Sequence, residues 1–269
     1  MKIKEIIESL RTQKPDDYVF PTGFKELDDF LDGGFFRKEL IVVGAATGAG
    51  KSLFSAQIFL NIAKKCFRSA YFSLEINNEM IVSRLVGQIA NIKPSRVMRG
   101  FLTPDEFKRK YDAETSLQVY EEHLNFFDNF YKLKDIEKEI KENNYEFVVV
   151  DFIQNVIAEQ KDEYSNLTLT SLELQRIAKE TNCCILVVSQ LSNMALRGGY
   201  TEYKGSGAIA MVADLGFFLI RNMGDDDLDK DKLILKLAKN RRGFSGKKFC
   251  FQIITDGALL VPIKLPDDK

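Results

Sequence analysis

Apolar residues recur along the chain with two periods. Short, nearly unbroken apolar runs at 39–44 (ELIVVG), 70–74, 124–127, 147–150 and 184–189 read as buried strands. Segments 51–65, 77–90, 104–122, 134–142 and 169–181 read as helices, the third with Thr103 as cap and Pro104 at its first position. Alternation of strand and helix predicts right-handed crossovers and a mainly parallel sheet with helices on both faces. The tail breaks this rhythm: 215–220, 233–239 and 248–254 are strands joined by short polar loops, which predicts an antiparallel hairpin at one sheet edge. At the other end, Ile3, Ile6, Ile7 and Leu10 give an amphipathic helix over 2–11, followed by a polar stretch at 12–17. Isolated helices shorter than ~12–15 residues are marginal in water, so this helix is expected to dock on something. A second short helix is expected after Thr22, as its N-cap, ending at Gly33 and Gly34. With no repeat and no domain boundary after Phe20, the expected organisation is an arm at 1–20 and one α/β domain at 21–269.

Composition narrows the class. An apolar fraction of 45% with 29% charged residues is that of a globular protein, and no apolar run approaches the ~20 residues of a membrane span. The opening MKIKEIIESLRTQK lacks an apolar core and carries acids, which argues against a secretory signal or transit peptide and for a cytoplasmic location. Cys66, Cys183, Cys184 and Cys250 lack C-x-x-C spacing, and the adjacent pair would face opposite sides of a strand, so all four read as reduced apolar filler. With 38 Lys+Arg against 39 Asp+Glu the net charge is −1, which excludes a uniformly basic nucleic-acid binder. Charge is nevertheless partitioned: residues 232–248 hold seven basic side chains and no acid, directly after the acidic stretch 225–231.

The sharpest chemistry is the octapeptide AATGAGKS, Ala45 to Ser52, directly after a strand and directly before a helix. Backbone N–H groups of such a loop wrap phosphate oxygens, a lysine pairs with the β/γ-phosphates, and the following hydroxyl ligates Mg²⁺. The nucleotide-binding residues are then Ala46, Thr47, Gly48, Ala49, Gly50, Lys51, Ser52 and Leu53. Ala45 departs from the usual glycine at the first position. A phosphate-loop hydrolase also needs an acid on the sheet for the metal shell and a group that orients the attacking water. Asp151 ends the run 147–150 and takes the first role, making Ser52 and Asp151 the metal pair; Glu75 is a second carboxylate at a strand end, and Gln190 closes the strand 184–189, where it could hydrogen-bond a γ-phosphate or the sheet-edge loop.

Together these residues resemble the RecA-like motor domain of the DnaB-type (superfamily 4) replicative DNA helicases. The matching stretches are PTGFKELDDFLDGGF from Pro21, the phosphate loop, FSLE from Phe72, VVVDFIQ from Val148, SQL from Ser189, GSGAIAMVAD from Gly205 and AKNRRG from Ala238, in family order. The resemblance implies a RecA-like P-loop NTPase fold, ATP and Mg²⁺ as ligands, and hydrolysis with Lys51, Glu75, Asp151, Gln190, Lys239 and Arg241 as catalytic set. Glu75 would polarise the water, Asp151 hold the metal shell, and Gln190 couple nucleotide state to the DNA loops. Lys239 and Arg241 match the pair that reaches a neighbouring subunit's γ-phosphate, which implies a homo-oligomeric, six-membered ring. Single-stranded DNA contact is implied for Lys204, Gly205, Ser206 and Gly207, where small residues let backbone N–H groups approach phosphates; here Lys204-Gly205 stands where the family often has Arg-Glu. Primase or a helicase loader are the further partners implied, in a bacterial or phage-encoded system. The family's helical collar domain is not among the matching stretches, and the arm resembles the linker helix that packs on an adjacent motor.

The expected function is thus an ATP-driven, ring-forming DNA helicase motor; the alternative is a RecA-like, ATP-switched scaffold that binds single-stranded DNA without unwinding. Other features have plainer readings. His123 has no base or ligand partner nearby in sequence, the run 225–231 reads as a solvated hairpin tip, and the 21 Phe read as core, leaving Tyr200 and Tyr203 as the aromatics to test for base stacking.

Overall fold

The structure, a computed structural model, describes residues 2–12, 18–160, 162–191, 207–221, 231–254 and 259–264. Helix α1 (Ile3–Thr12) is followed by a two-stranded antiparallel ribbon, β1 (Val19–Phe20) with β2 (Phe35–Phe36), which brackets α2 (Lys25–Phe30). The main sheet holds β3 (Leu40–Ala45), β4 (Ser69–Ser73), β5 (Leu124–Phe127), β6 (Phe147–Asp151), β7 (Cys184–Gln190), β8 (Leu215–Arg221), β9 (Lys232–Asn240), β10 (Lys248–Ile254) and β11 (Leu259–Ile263). Its nine strands lie in the order β11-β10-β9-β8-β3-β7-β6-β4-β5. From β8 to β5 neighbours run parallel, and beyond β8 they are antiparallel, as the alternation in the sequence predicts. The connecting helices are α3 (Lys51–Ala63), α4 (Asn78–Ala90), α5 (Pro94–Arg99), α6 (Pro104–Gln118), α7 (Leu133–Asn143), α8 (Glu163–Thr181) and α9 (Gly207–Val212).

The central strands are continuous apolar runs because both faces are covered. Ile41 and Val43 face a core shared with α3 and α4, while Leu40 and Val42 face the opposite core with α7 and α8. Cys184 and Cys183 divide between the same two cores as free, buried thiols. Each large aliphatic side chain buried in this way contributes about 1.5–3 kcal/mol. Helix α3 is apolar on nearly every side and buried along its length, which fixes the phosphate loop at its amino end to the middle of the sheet. The capping box at Thr103 and Glu106 opens α6, with Pro104 at the first position as expected.

Some expectations need correction. Thr22 does not cap α2: that helix begins after Phe24 without a side-chain cap, and Asp28 reaches back to accept from Thr22 N at 2.8 Å and Thr22 Oγ1 at 2.6 Å. Gly34, at φ 135°, marks the tight entry of β2, where a Cβ would meet Phe20 O at 2.2 Å. The edge strand β11, the short helix α5 and the β1–β2 ribbon add to the predicted elements, and α8 starts six residues earlier than the expected 169. Helix α1 forms, but Ile3, Ile7 and Leu10 stay exposed and do not dock on the described residues of their own chain. Among the described residues no helix is long and apolar enough to cross a membrane.

Candidate active site

Four neighbouring strands deliver the predicted groups to one edge of the sheet. In the order β3, β7, β6, β4, their carboxyl ends carry the phosphate loop, Gln190, Asp151 and Glu75. Ligands of open α/β sheets bind at such an edge.

Ala45 is the last residue of β3, paired with Gln190 and Leu219, so the position is extended backbone that alanine adopts without cost. Left-handed geometry falls instead on Gly48 (φ 76°) and Gly50 (φ 96°). A Cβ at Gly50 would also lie 3.0 Å from Leu233 Cδ1. Gly50 leads into α3 with no side-chain cap, so the first-turn N–H groups of that helix remain available to an anion. Lys51 is buried and donates to Ala46 O at 3.2 Å. Burial lowers its pKa, and the nearby Glu75 and Asp151 carboxylates work against that shift. Around this loop lies a cleft of about 270 Å³ lined by Thr47, Lys51, Ser52, Glu75, Arg84, Arg221 and Ile253 among others.

Asp151 is 1% exposed. Its Oδ2 accepts from Tyr71 Oη at 2.7 Å, whereas Oδ1 is buried without a hydrogen-bond partner in the described protein. Burial raises its pKa; Tyr71, the adjacent Ser52 hydroxyl, Arg84 and Lys51 favour the charged form. A buried carboxylate oxygen left open beside Ser52 fits a hydrated divalent cation, which binds through few protein ligands and keeps much of its water.

The strand ends are braced to one another. Gln190 Nε2 donates to Thr47 Oγ1 at 2.8 Å, which ties β7 directly to the phosphate loop. Gln154 holds Gln190 from behind, donating to Gln190 O at 3.0 Å and accepting from Gln190 N at 3.3 Å. Asn155 Nδ2 donates to Leu74 O at 2.8 Å, and Leu74 N donates to Asp151 O at 2.8 Å, so the residue before Glu75 is fixed to β6. Sequence reasoning missed Arg84, Tyr71 and Gln154. Of these only Gln154 carried a signal, as the last residue of VVVDFIQ.

Lys239 and Arg241 are not in this cleft. Asn240 pairs with Leu215 at the start of β8, which places the pair at the amino edge of the parallel strands, opposite the phosphate loop. There Lys239 Nζ donates to Met211 O at 2.7 Å, and Arg241 Nη2 donates to the same carbonyl at 3.1 Å. Arg241 also pairs with Asp214, Nη1 to Oδ1, at 2.7 Å. Lys204, Gly205 and Ser206 lie outside the described residues, as do Tyr200, Tyr203 and 225–230 of the acidic run; Gly207 opens α9. Among the described residues no cluster of three or more His, Cys, Asp or Glu is arranged to hold a metal.

Comparison with known proteins points the same way. Residues 20–253 match the family described as DnaB-like helicase C terminal domain. The replicative DNA helicase DnaC of Bacillus subtilis (strain 168) is 30% identical over 252 residues, covering 88% of this chain and 55% of that protein. The replicative DNA helicase DnaB of Geobacillus stearothermophilus is 27% identical over 252 residues, with the same coverage of 88% and 55%. The chain therefore spans about half the length of the curated relatives it matches. Among solved structures, a DnaB-like replicative helicase described with its interactions with primase superposes with a TM-score of 0.85 at 20% identity, over 97% of this chain and 68% of that one. A solved ATPase domain gives the same TM-score of 0.85 at 20% identity, over 97% of both chains. The RecA-like sheet, the phosphate loop with its partners and the match over 20–253 lead to one assignment: the chain belongs to the DnaB-like helicase C-terminal domain family.

Proposed function

We propose that this chain is the ATP-hydrolysing motor of a replicative DNA helicase, assembled as a homo-oligomeric ring that moves along single-stranded DNA. Family membership implies nucleotide binding. The observation that carries the rest is the division of charged groups between the two edges of the sheet. Lys51, Gln190, Asp151 and Glu75 gather at the carboxyl edge, while Lys239 and Arg241 stand at the amino edge, where they cannot serve their own site.

In this reading, the backbone N–H groups of 46–53 and Lys51 hold the triphosphate of ATP. Mg²⁺ would be held by the Ser52 hydroxyl and, through its water shell, by Asp151, and it would neutralise charge on the β- and γ-phosphates. Glu75 orients the attacking water and accepts its proton; the new bond forms from water oxygen to the γ-phosphorus as the bond to the β–γ bridging oxygen breaks. Gln190, bonded to Thr47 and braced by Gln154, reports the loss of the γ-phosphate to β7 and the chain beyond it. Arg241 of one subunit, with Lys239 beside it, completes the site of the next, a contribution of about 10³–10⁵ in rate for an arginine supplied in trans.

Two exposed apolar surfaces support self-association. Ile3, Ile7 and Leu10 line one face of α1, and Phe101 with Phe107 and Tyr111 of α6 stand exposed on the motor. The occupant of the second surface is α1 of a neighbouring copy, a head-to-tail contact of the kind that closes rings. Single-stranded DNA would be held by Lys204, Gly205, Ser206 and Gly207. Primase or a loader would engage the assembled ring. A forked-duplex unwinding assay beside a mass measurement with and without ATP and Mg²⁺ tests the proposal. Strand separation by a ring of fixed size supports it; DNA binding by an open filament without unwinding replaces it with an ATP-switched scaffold.

A further inference from the structure

Tyr71 is a fully buried tyrosine, 0% exposed, in the core around α3. It lies in the middle of β4, opposite Val149, while Ser73, two residues on, lies opposite Asp151. Side chains two residues apart on a strand share a face, at about 6.6–6.8 Å along it, which is close to the length of a tyrosine side chain. The phenol therefore runs along the inner face of the sheet toward its carboxyl edge and ends 2.7 Å from Asp151 Oδ2. A shorter hydroxyl at this position would not reach, and an apolar side chain would leave that oxygen without a donor.

The tether continues into α3. Ser55 Oγ lies 2.8 Å from Tyr71 Oη. Tyr71 has one proton, and an ionised carboxylate can only accept, so that proton goes to Asp151 and Ser55 donates to Tyr71. Ser55 stands three residues after Ser52, on the same face of the helix. Ser55 thus ties Tyr71, and through it Asp151, to the helix that begins at the phosphate loop and carries Ser52. With Oδ2 held by Tyr71, Oδ1 is the carboxylate oxygen that is buried without a hydrogen-bond partner in the described protein, the one left for a metal's water shell.

We propose that Tyr71 is a positioning residue for the metal-shell carboxylate, setting Asp151 through a Ser55–Tyr71–Asp151 hydrogen-bond chain that links the phosphate-loop helix to β6. The inference rests on the reading of Ser52 and Asp151 as the Mg²⁺ pair. Tyr71 touches neither nucleotide nor metal, so its removal affects the part of nucleotide affinity that depends on Mg²⁺ and leaves the metal-free part unchanged.

The test titrates a fluorescent ATP analogue in Mg²⁺ and in EDTA, for the wild-type chain, Tyr71→Phe and Ser55→Ala, with thermal unfolding of each variant alongside. In Tyr71→Phe the Mg²⁺-dependent gain in affinity falls by about tenfold or more, the usual cost of losing an outer-shell partner of a metal ligand, while affinity in EDTA holds. Ser55→Ala moves the gain in the same direction by less, because the bond from Tyr71 to Asp151 remains. An unchanged gain in folded Tyr71→Phe, or an equal loss in Mg²⁺ and EDTA, overturns the inference and leaves the nucleotide site standing. If Tyr71→Phe does not fold, an unchanged gain in Ser55→Ala overturns it alone. Absence of any Mg²⁺ dependence in the wild-type chain overturns the metal-pair reading, and the role of Tyr71 with it.

Discussion

Arg241 Nη1 lies 2.7 Å from Asp214 Oδ1, and the other oxygen of that carboxylate accepts the Leu40 amide at 2.9 Å. One side chain thus anchors the proposed trans-acting arginine and the start of the strand that leads to the phosphate loop. Asp214→Ala leaves the Leu40 N–H without its side-chain acceptor and the Arg241 guanidinium with Met211 O but no carboxylate, a loss of about 1–3 kcal/mol in folding stability. Chemical denaturation measures it, and an unchanged midpoint would show that neither bond matters to the fold.

The opposite-edge placement of Arg241 makes a prediction about mixtures. Arg241→Ala keeps its own phosphate loop, and Lys51→Ala keeps its own arginine. Each variant alone should be nearly inactive. Mixed in equal amounts and allowed to reassemble, they should regain hydrolysis at roughly a quarter of the interfaces, as random head-to-tail pairing requires. A mixture no more active than its parts, under conditions where mixed oligomers are seen by mass, contradicts catalysis across an interface.

Burial pushes the Glu39 carboxyl up from 4.5 to about 7, against the pull of Arg242, whose Nε lies 2.8 Å from Glu39 Oε1. Unfolded chains release this proton near 4.5, whereas the folded chain holds it to about 7. Between those values the unfolded state binds fewer protons, so the contribution of Glu39 to stability is full below the lower value and is lost as pH rises through the upper one. Glu39→Gln keeps an acceptor for Phe36 N and removes the titration. The stability of wild type relative to this variant should fall across that window and level off above it, as read from urea melts at a series of pH values.

Assembly should separate from folding on the exposed apolar faces. Ile7→Ser and Phe107→Ser change surface positions, where effects on stability stay within about 0.5 kcal/mol. Each should shift the mass distribution toward monomer while thermal unfolding of the isolated chain stays put. Oligomers of wild-type size in both variants would place the subunit contact elsewhere.

How much of this was legible in sequence follows from what fixes each residue. The runs at 147–150 and 184–189 declared themselves because strands covered on both faces are apolar without interruption, and the phosphate loop did so because Gly48 and Gly50 need left-handed backbone. Strand β11, with Pro262 on a sheet edge, and the two-residue strands β1 and β2 are too short or too interrupted to show a period. At Thr22 the hydroxyl accepts from Phe24 N at 3.2 Å, just ahead of the helix, and donates to Asp28, so it braces the entry to α2 without being its cap. Tyr71 and Arg84 reach the site through strand register and helix packing, which composition does not reveal. The amino-edge position of Arg241 follows only from the pairing of Asn240 with Leu215.

ATP hydrolysis by the wild-type chain and Glu75→Gln, measured with and without single-stranded DNA and beside nucleotide affinity, tests the motor reading most directly. The wild-type chain should hydrolyse ATP and be stimulated by DNA, and Glu75→Gln should bind nucleotide as tightly while losing about 10²–10⁴ in rate. Hydrolysis that ignores DNA, or that survives in Glu75→Gln, contradicts the account.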